Sequence, residues 1–323
     1  MIVRRKHLVT AVAATFVGSA FVYGEFQRDI AEARTRAAAG GTVVQTRCGP
    51  IEYEEAGDGL PVLVVHGAGG GHDQGMSLAR PLAQRGFRVI AVSRFGYLGT
   101  PLPTDASAQA QADAHACLLD ALAVPQAAII GVSAGGPSSM QFAIRYPDRC
   151  TALVLLVPLA WRPPDAPDSA TERSTLQQDI LAQVVGSNFV FWSAMNLARV
   201  RAMSLVLATP VEVIEAASAA ERERAETLLE QILPISDRAA GLRNDARIAT
   251  ALERYDLESI RAPTLVISLR DDLYGTFTGA EYTAQNIRGA RFVGYERGGH
   301  VFIGQHEALL KEMVAFLGSP DRR

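Results

Sequence analysis

The sequence predicts an α/β fold: a mostly parallel central sheet flanked by helices, interrupted by an all-helical insertion and preceded by an N-terminal hydrophobic helix. Three observations carry this expectation. Short continuous apolar runs such as Pro61-Val62-Leu63-Val64-Val65 and Ala152-Leu153-Val154-Leu155-Leu156-Val157 read as strands covered on both faces. These runs alternate with helical stretches, the pattern of a parallel sheet. Over residues 161–256 no buried-strand pattern occurs, and helical stretches fill the interval until the strand pattern resumes at Pro263.

Taken in order, residues 42–46 and 51–54 alternate as strands, and Gly57-Asp58-Gly59 turns the chain toward the strand at 61–65. A helix is expected around 77–85, a strand at 87–92, a longer helix at 106–122 and a strand at 127–132. Another helix ends near Tyr146-Pro147, before a strand at 152–157. Pro163-Pro164 and Pro167 stiffen the start of the insertion, whose helical stretches fall near 172–185, 189–203, 211–233 and 237–252. After the strand at 263–268 come a helix near 279–287, a strand at 290–295 and a last helix at 306–317. The chain then divides into a signal anchor or signal peptide (1–24), a helical stalk (25–41), a core in two parts (42–160 and 257–318) and a helical cap (161–256).

The 323 residues, 48% of them hydrophobic, suffice for one large core with an appended unit. A formal net charge of −3 and the lack of a basic stripe with interleaved aromatics exclude a nucleic-acid partner from the expectation. Cys48, Cys117 and Cys150 are scattered without C-x-x-C spacing, so neither a metal site nor a disulfide framework is expected, and all three read as small packing residues. No metal or other cofactor is implied.

Arg4, Arg5 and Lys6 precede an apolar run over 8–23. As a helix that run would measure about 24 Å, slightly short of a hydrocarbon core of about 30 Å. A basic start joined to an uncharged apolar run is a targeting pattern, and the positive flank favours a cytoplasmic N-terminus. The expected location is therefore membrane-anchored, with the body on the non-cytoplasmic side, or exported after cleavage near Gly18-Ser19-Ala20.

The chemistry is carried by four short strings. Gly131-Val132-Ser133-Ala134-Gly135 is a G-x-S-x-G directly after a buried strand and before a helix. A sharp turn there lifts the serine hydroxyl above the sheet edge, and flanking side chains would clash. A serine needs a base, and His300, after Gly298-Gly299 in the loop following the last strand, is the best placed of the six histidines. The base needs an acid to hold its tautomer, and Asp271-Asp272 follows the strand at 263–268. Oxyanion donors are expected from the backbone N–H groups of Ala134 and of Ala68, within His66-Gly67-Ala68-Gly69-Gly70-Gly71. That glycine cluster is not a phosphate loop, because no Lys-Ser/Thr follows it. His306 reads as a surface or capping residue, and His115 as structural.

Together these strings, in the chain order Ser, Asp, His, resemble the α/β-hydrolase fold superfamily over residues 42–317, with the insertion where that family carries its cap. The resemblance selects Asp272 over Asp271 as the acid, beside Ser133 as nucleophile and His300 as base. It implies a serine hydrolase working through an acyl-enzyme, and the scarcity of charge in the expected pocket loops points to an uncharged, fairly apolar carboxylic ester or related carbonyl compound. A C–C bond hydrolase, aminopeptidase, lactonase or perhydrolase would use the same triad, and a non-catalytic binding protein can share the fold. A lipid substrate drawn from the bilayer is suggested by the N-terminal run alone. Ser93 stands where the family more often has Asp. On the cap, Phe189, Phe191, Trp192, Met195, Met203 and Leu205 are expected chiefly to pack, with one or two lining the acyl pocket.

Overall fold

The computed structural model describes residues 2–164 and 175–319, with side chains from 19 and, after the gap, from 180 onward. Eight strands form one sheet: β1 (Thr42–Thr46), β2 (Gly49–Ala56), β3 (Leu60–Val65), β4 (Phe87–Val92), β5 (Ala127–Val132), β6 (Cys150–Leu156), β7 (Thr264–Leu269) and β8 (Arg291–Tyr295). Their spatial order is β1-β2-β4-β3-β5-β6-β7-β8. The two pairings that involve β2 are antiparallel, and the remaining five are parallel. From β3 the chain moves outward to β4, then crosses back to β5 on the other side of β3. That reversal opens a crevice above the C-terminal ends of β3 and β5, where ligands bind in such sheets.

The apolar runs are strands because both faces are covered. Leu63, Val65, Ile129, Leu153, Leu155 and Val266 belong to one buried cluster, and Val62, Val64, Ile130, Val154, Leu265 and Ile267 to another on the opposite face. The covering helices of the core are α2 (His72–Ala83), α3 (Ala108–Ala121), α4 (Gly136–Arg145), α11 (Thr276–Asn286) and α12 (His306–Gly318). Ser107 caps α3 by accepting a hydrogen bond from Ala110 N, which satisfies an otherwise orphaned amide.

Between β6 and β7 the described residues of the insertion are helical: α5 (Thr175–Val184), α6 (Asn188–Leu197), α7 (Arg199–Val206), α8 (Val211–Glu215), α9 (Ala219–Glu230) and α10 (Ala239–Thr250). Two stretches expected as single helices are each divided. The first breaks at Ala198, whose ψ of 48° leaves the helical region. The second breaks before Ser218, which caps α9 through Glu221 N. Apolar spacing continues across both breaks, so periodicity hid them. Pro167 and the start of the helix expected from 172 lie outside the described residues.

The apolar and polar N-terminal stretches form one helix, α1 (Ile2–Ala38). Its second half, expected as a stalk, lies along the cap. Ile30, Ala33 and Ala37 are buried, the first two in the same cluster as Phe191, Met195, Met203 and Leu229. Trp192 Nε1 donates to Asp29 Oδ2 at 2.8 Å, Arg36 Nη2 to the Glu230 carbonyl at 2.9 Å, and Phe26 packs edge-on against Phe189 and Trp192. Among the described residues no helix is long and apolar enough to cross a membrane. The apolar run at 8–23 falls mostly ahead of residue 19, where side-chain description begins.

One expectation about cysteine is corrected. Cys48, in the β1–β2 turn, and Cys117, on α3, form a disulfide with Cα atoms 6.0 Å apart. Their separation of 69 residues carries no local signature, and only the folding of the hairpin over α3 brings them together. Cys150 is free and buried, and burial pushes its thiol up to about 12.

Candidate active site

Ser133 begins the 3-10 turn that joins β5 to α4, with φ at +49°. A non-glycine residue there stores about 1–3 kcal/mol of strain, which the surroundings must hold in place. Both neighbouring glycines are needed. A Cβ on Gly131 would lie 2.4 Å from Ser139 Oγ, and one on Gly135 would lie 2.4 Å from the Val65 carbonyl oxygen. The C-terminal ends of β3 and β5 thus meet at the serine, beneath the switch in strand order.

The turn after β3 comes to the same place. Gly70 N donates to the Gly67 carbonyl at 3.3 Å, and Gly69 takes a φ of +75°. A Cβ built on Gly67 would sit 3.1 Å from Ser133 Cβ and 3.7 Å from its Oγ. A side chain there would crowd Ser133, and a glycine lets this backbone approach without moving it. Ala68 is exposed at the tip of the turn, and Ala134 follows the serine half-buried. Beneath the turn, buried His66 accepts from Arg94 N through Nε2 at 3.0 Å, so its Nδ1–H donates to the Gly67 carbonyl at 2.6 Å. Burial, with Arg94 second, holds His66 well below the usual histidine range and keeps it neutral.

His300 lies in the loop between β8 and α12. Its Nδ1 pairs with Asp272 Oδ2 at 2.8 Å, and its ring stands edge-on to Tyr274. Asp272 is fully buried, and accepts further bonds from Tyr274 N at 2.9 Å and from Thr276 Oγ1. Asp271 plays a different part: its two carboxylate oxygens accept from Gly298 N and Gly299 N, each at 2.9 Å. Of the two adjacent carboxylates, one therefore meets the imidazole and the other anchors the loop that carries it. The cap contributes as well, since the Ala208 carbonyl accepts from Leu273 N at 3.0 Å and His300 N at 3.3 Å. Ser133 and His300 share no hydrogen bond here; contacts of this kind often tighten only once substrate is bound.

This arrangement suits acyl transfer. A hydroxyl raised by the turn, an imidazole held by a buried carboxylate, and a glycine turn beside the hydroxyl are its required parts. Three supporting features carried no sequence signal that reveals their partners: Asp271 on the glycine amides, Ala208 on both loops, and the arginines Arg94 and Arg238. A fourth explains the departure at Ser93. Its hydroxyl donates to Glu52 Oε2 at 2.7 Å, and Gly99 N donates to the same oxygen at 3.0 Å. A carboxylate from β2 thus reaches the loop where the family more often has its own Asp. On the cap, Phe191, Met195 and Met203 are buried in its core, whereas Phe189 and Trp192 face Phe26 of α1. A cavity of about 400 Å3 includes Trp161, Tyr274 and Thr276 in its lining, on the side of the acid loop, but neither Ser133 nor His300.

Comparison with known proteins agrees with the fold. The family profile described as the alpha/beta hydrolase fold matches residues 61–307. The uncharacterized hydrolase YcgS of Bacillus subtilis is 27% identical over 268 residues, covering 80% of this chain and 92% of its own. A 2-hydroxy-6-oxononadienedioate/2-hydroxy-6-oxononatrienedioate hydrolase of Paraburkholderia phymatum is also 27% identical, over 83% of this chain and 91% of its own. Among solved structures, an alpha/beta hydrolase fold protein from Nakamurella multipartita superposes with a TM-score of 0.67 at 27% identity, covering 86% of this chain and 98% of its own. The chain belongs to the α/β hydrolase fold family.

Proposed function

We propose that this hydrolase cleaves an uncharged, fairly apolar carboxylic ester through an acyl-enzyme. Ser133 attacks the carbonyl. His300 takes the hydroxyl proton, passes it to the leaving alcohol and then activates water, while Asp272 stabilises the imidazolium. The N–H groups of Ala68 and Ala134 receive the oxyanion. The observation that carries this reading is the meeting of a positive-φ serine with the Gly67 turn, beside a separate His300–Asp272 pair at 2.8 Å.

The choice of an uncharged substrate rests on the two arginines around the turn. Arg94 is paired with Asp245 and Arg238 with Asp73. Neither offers an uncompensated positive charge to a substrate carboxylate, as a dioate of the kind named for the Paraburkholderia relative would need.

The test uses full-length protein in detergent, a p-nitrophenyl ester series, a dienedioate, and the Ser133→Ala variant. Ester turnover that falls about 10^5-fold or more in the variant supports the reading. Turnover of the dioate in preference to every ester assigns the same triad to C–C bond cleavage. Failure of a fluorophosphonate to label Ser133 sinks the nucleophile.

We also propose that the N-terminal segment holds the body at a membrane on the non-cytoplasmic side, or directs its export. The basic start and apolar run support this, as does a disulfide, a feature of oxidising compartments. Phe21 and Tyr23, 68% and 59% exposed where α1 reaches the cap, suit a lipid interface. Removal of residues 1–23 should release the protein from membranes with its activity intact. Retention of the truncated form on washed membranes would overturn the anchor.

A further inference from the structure

The two buried arginines among the described residues both cross between core and cap, in opposite senses. Arg94, in the loop after β4, points a guanidinium fork at Asp245 of α10, with both arms at 2.7 Å. Arg238, immediately before α10, points its fork at Asp73 of α2, at 2.7 and 3.3 Å. Each arginine also holds one carbonyl of the glycine turn. Arg94 Nη2 donates to Gly67 O at 3.1 Å, and Arg238 Nη1 to Gly70 O at 2.6 Å. Between them, the Tyr97 hydroxyl donates to Asp245 and accepts from Gly69 N at 3.3 Å. Two backbone bonds complete the joint: Leu98 N to Asp237 O at 3.1 Å and Gly241 N to Gly96 O at 2.9 Å.

The geometry points to Arg94, Arg238 and Tyr97, with Asp245 and Asp73, as positioning residues through which the seating of the cap sets the oxyanion turn. The inference rests on the acyl-transfer reading of Ser133. A guanidinium fork fixes angle as well as distance, and two forks of opposite sense resist sliding in either direction. With Gly69 N held by Tyr97 and Gly70 N by Gly67 O, the conformation that places the Ala68 amide is determined from both ends. Substrate need not touch any of these side chains. They act by keeping one backbone amide where negative charge develops.

Asp245→Asn tests this, because it keeps the shape and removes the charge that balances Arg94. Full-length enzyme is assayed on a p-nitrophenyl ester, with active sites counted by fluorophosphonate labelling and with inhibition by an alkyl boronic acid. The boronate forms a tetrahedral adduct on the serine and fills the oxyanion position. We expect kcat per labelled site to fall about 10–100-fold, part of the effect of losing one oxyanion donor, while KM moves less than about 3-fold. The boronate inhibition constant should rise in step with the fall in kcat/KM. Tyr97→Phe, which removes only the hydroxyl between Asp245 and Gly69 N, should show the same pattern at smaller scale and serves if Asp245→Asn does not fold. Asp113→Asn breaks a surface pair with Arg145 and should leave all three quantities unchanged. A purely structural role predicts fewer labelled sites or a lower Tm with unchanged kcat per site and boronate affinity, and that result overturns the inference. An unlabelled wild type overturns the nucleophile reading instead.

Discussion

In the core, β3, β5 and β7 run into the site as strands with near-zero exposure at their inward residues, and each delivers one functional loop at its end. In the cap, segments reach the same site through the side chains of Arg238 and Asp245, the shared carbonyl Ala208 O and two backbone bonds at Asp237 and Gly241. The core therefore places the serine and the acid by backbone geometry, and the cap adjusts the surrounding loops by hydrogen bonds and ion pairs. Backbone placement tolerates little change of residue at the turn. Placement by side chains tolerates drift in sequence so long as the pairs are kept.

Substitutions on the two sides should differ accordingly. Apart from the nucleophile itself, the largest effect is expected at Asp272, where Asn removes the charge that stabilises the imidazolium. Turnover should drop by about 10^4-fold with Tm nearly unchanged, and a loss below tenfold would show that another carboxylate serves the base. On α1 where it packs against the cap, Ile30→Ala should lower unfolding free energy by about 2–4 kcal/mol, read by denaturant melts, with kcat per labelled site retained. An equal loss of kcat would mean that α1 belongs to the catalytic joint rather than to cap stability alone. In the core, reduction of the Cys48–Cys117 bond, or its replacement by two serines, should cost about 2–4 kcal/mol and spare activity below the melting range.

The remaining effect is pH-dependent. His115 is fully buried on α3, with Nε2 on Ser138 Oγ at 3.2 Å, and burial pushes its pKa from 6.5 to about 3. The unfolded chain takes up this proton near pH 6.5 and the folded chain only near 3. The contribution is therefore full above pH 6.5 and is lost as pH falls from 6.5 toward 3. In His115→Leu the acid limb of the stability profile should be shallower across that window. An unchanged limb would place the acid sensitivity elsewhere, with His66 the next candidate.

Legibility from sequence followed the range of the interaction. Ser133, Gly131 and Gly135 announce their turn within five residues because one backbone conformation demands all three. The pair Asp271-Asp272 and His300 stood out by their places after β7 and β8, since chain order and strand ends restrict where a partner can be, and only the family resemblance singled out Asp272. The Arg94–Asp245 and Arg238–Asp73 pairs are 151 and 165 residues apart, and nothing in either neighbourhood names the partner. The disulfide was missed for the same reason. The helix breaks at Ala198 and Ser218 were missed for another: apolar spacing records which face is buried, not whether the backbone stays continuous.

The bond between Cys48 and Cys117 encloses 68 residues, among them β2, β3, β4, α2, the whole glycine turn and Arg94. The segment is a closed ring sewn into an otherwise linear chain. A protease that nicked an exposed point of the ring, such as the Gly57-Asp58-Gly59 bend, would leave two polypeptides that still travel as one until a reductant is added. Such a cut enzyme would keep its turn clasped between both arginines, so mobility on a reducing gel would report damage that its activity does not.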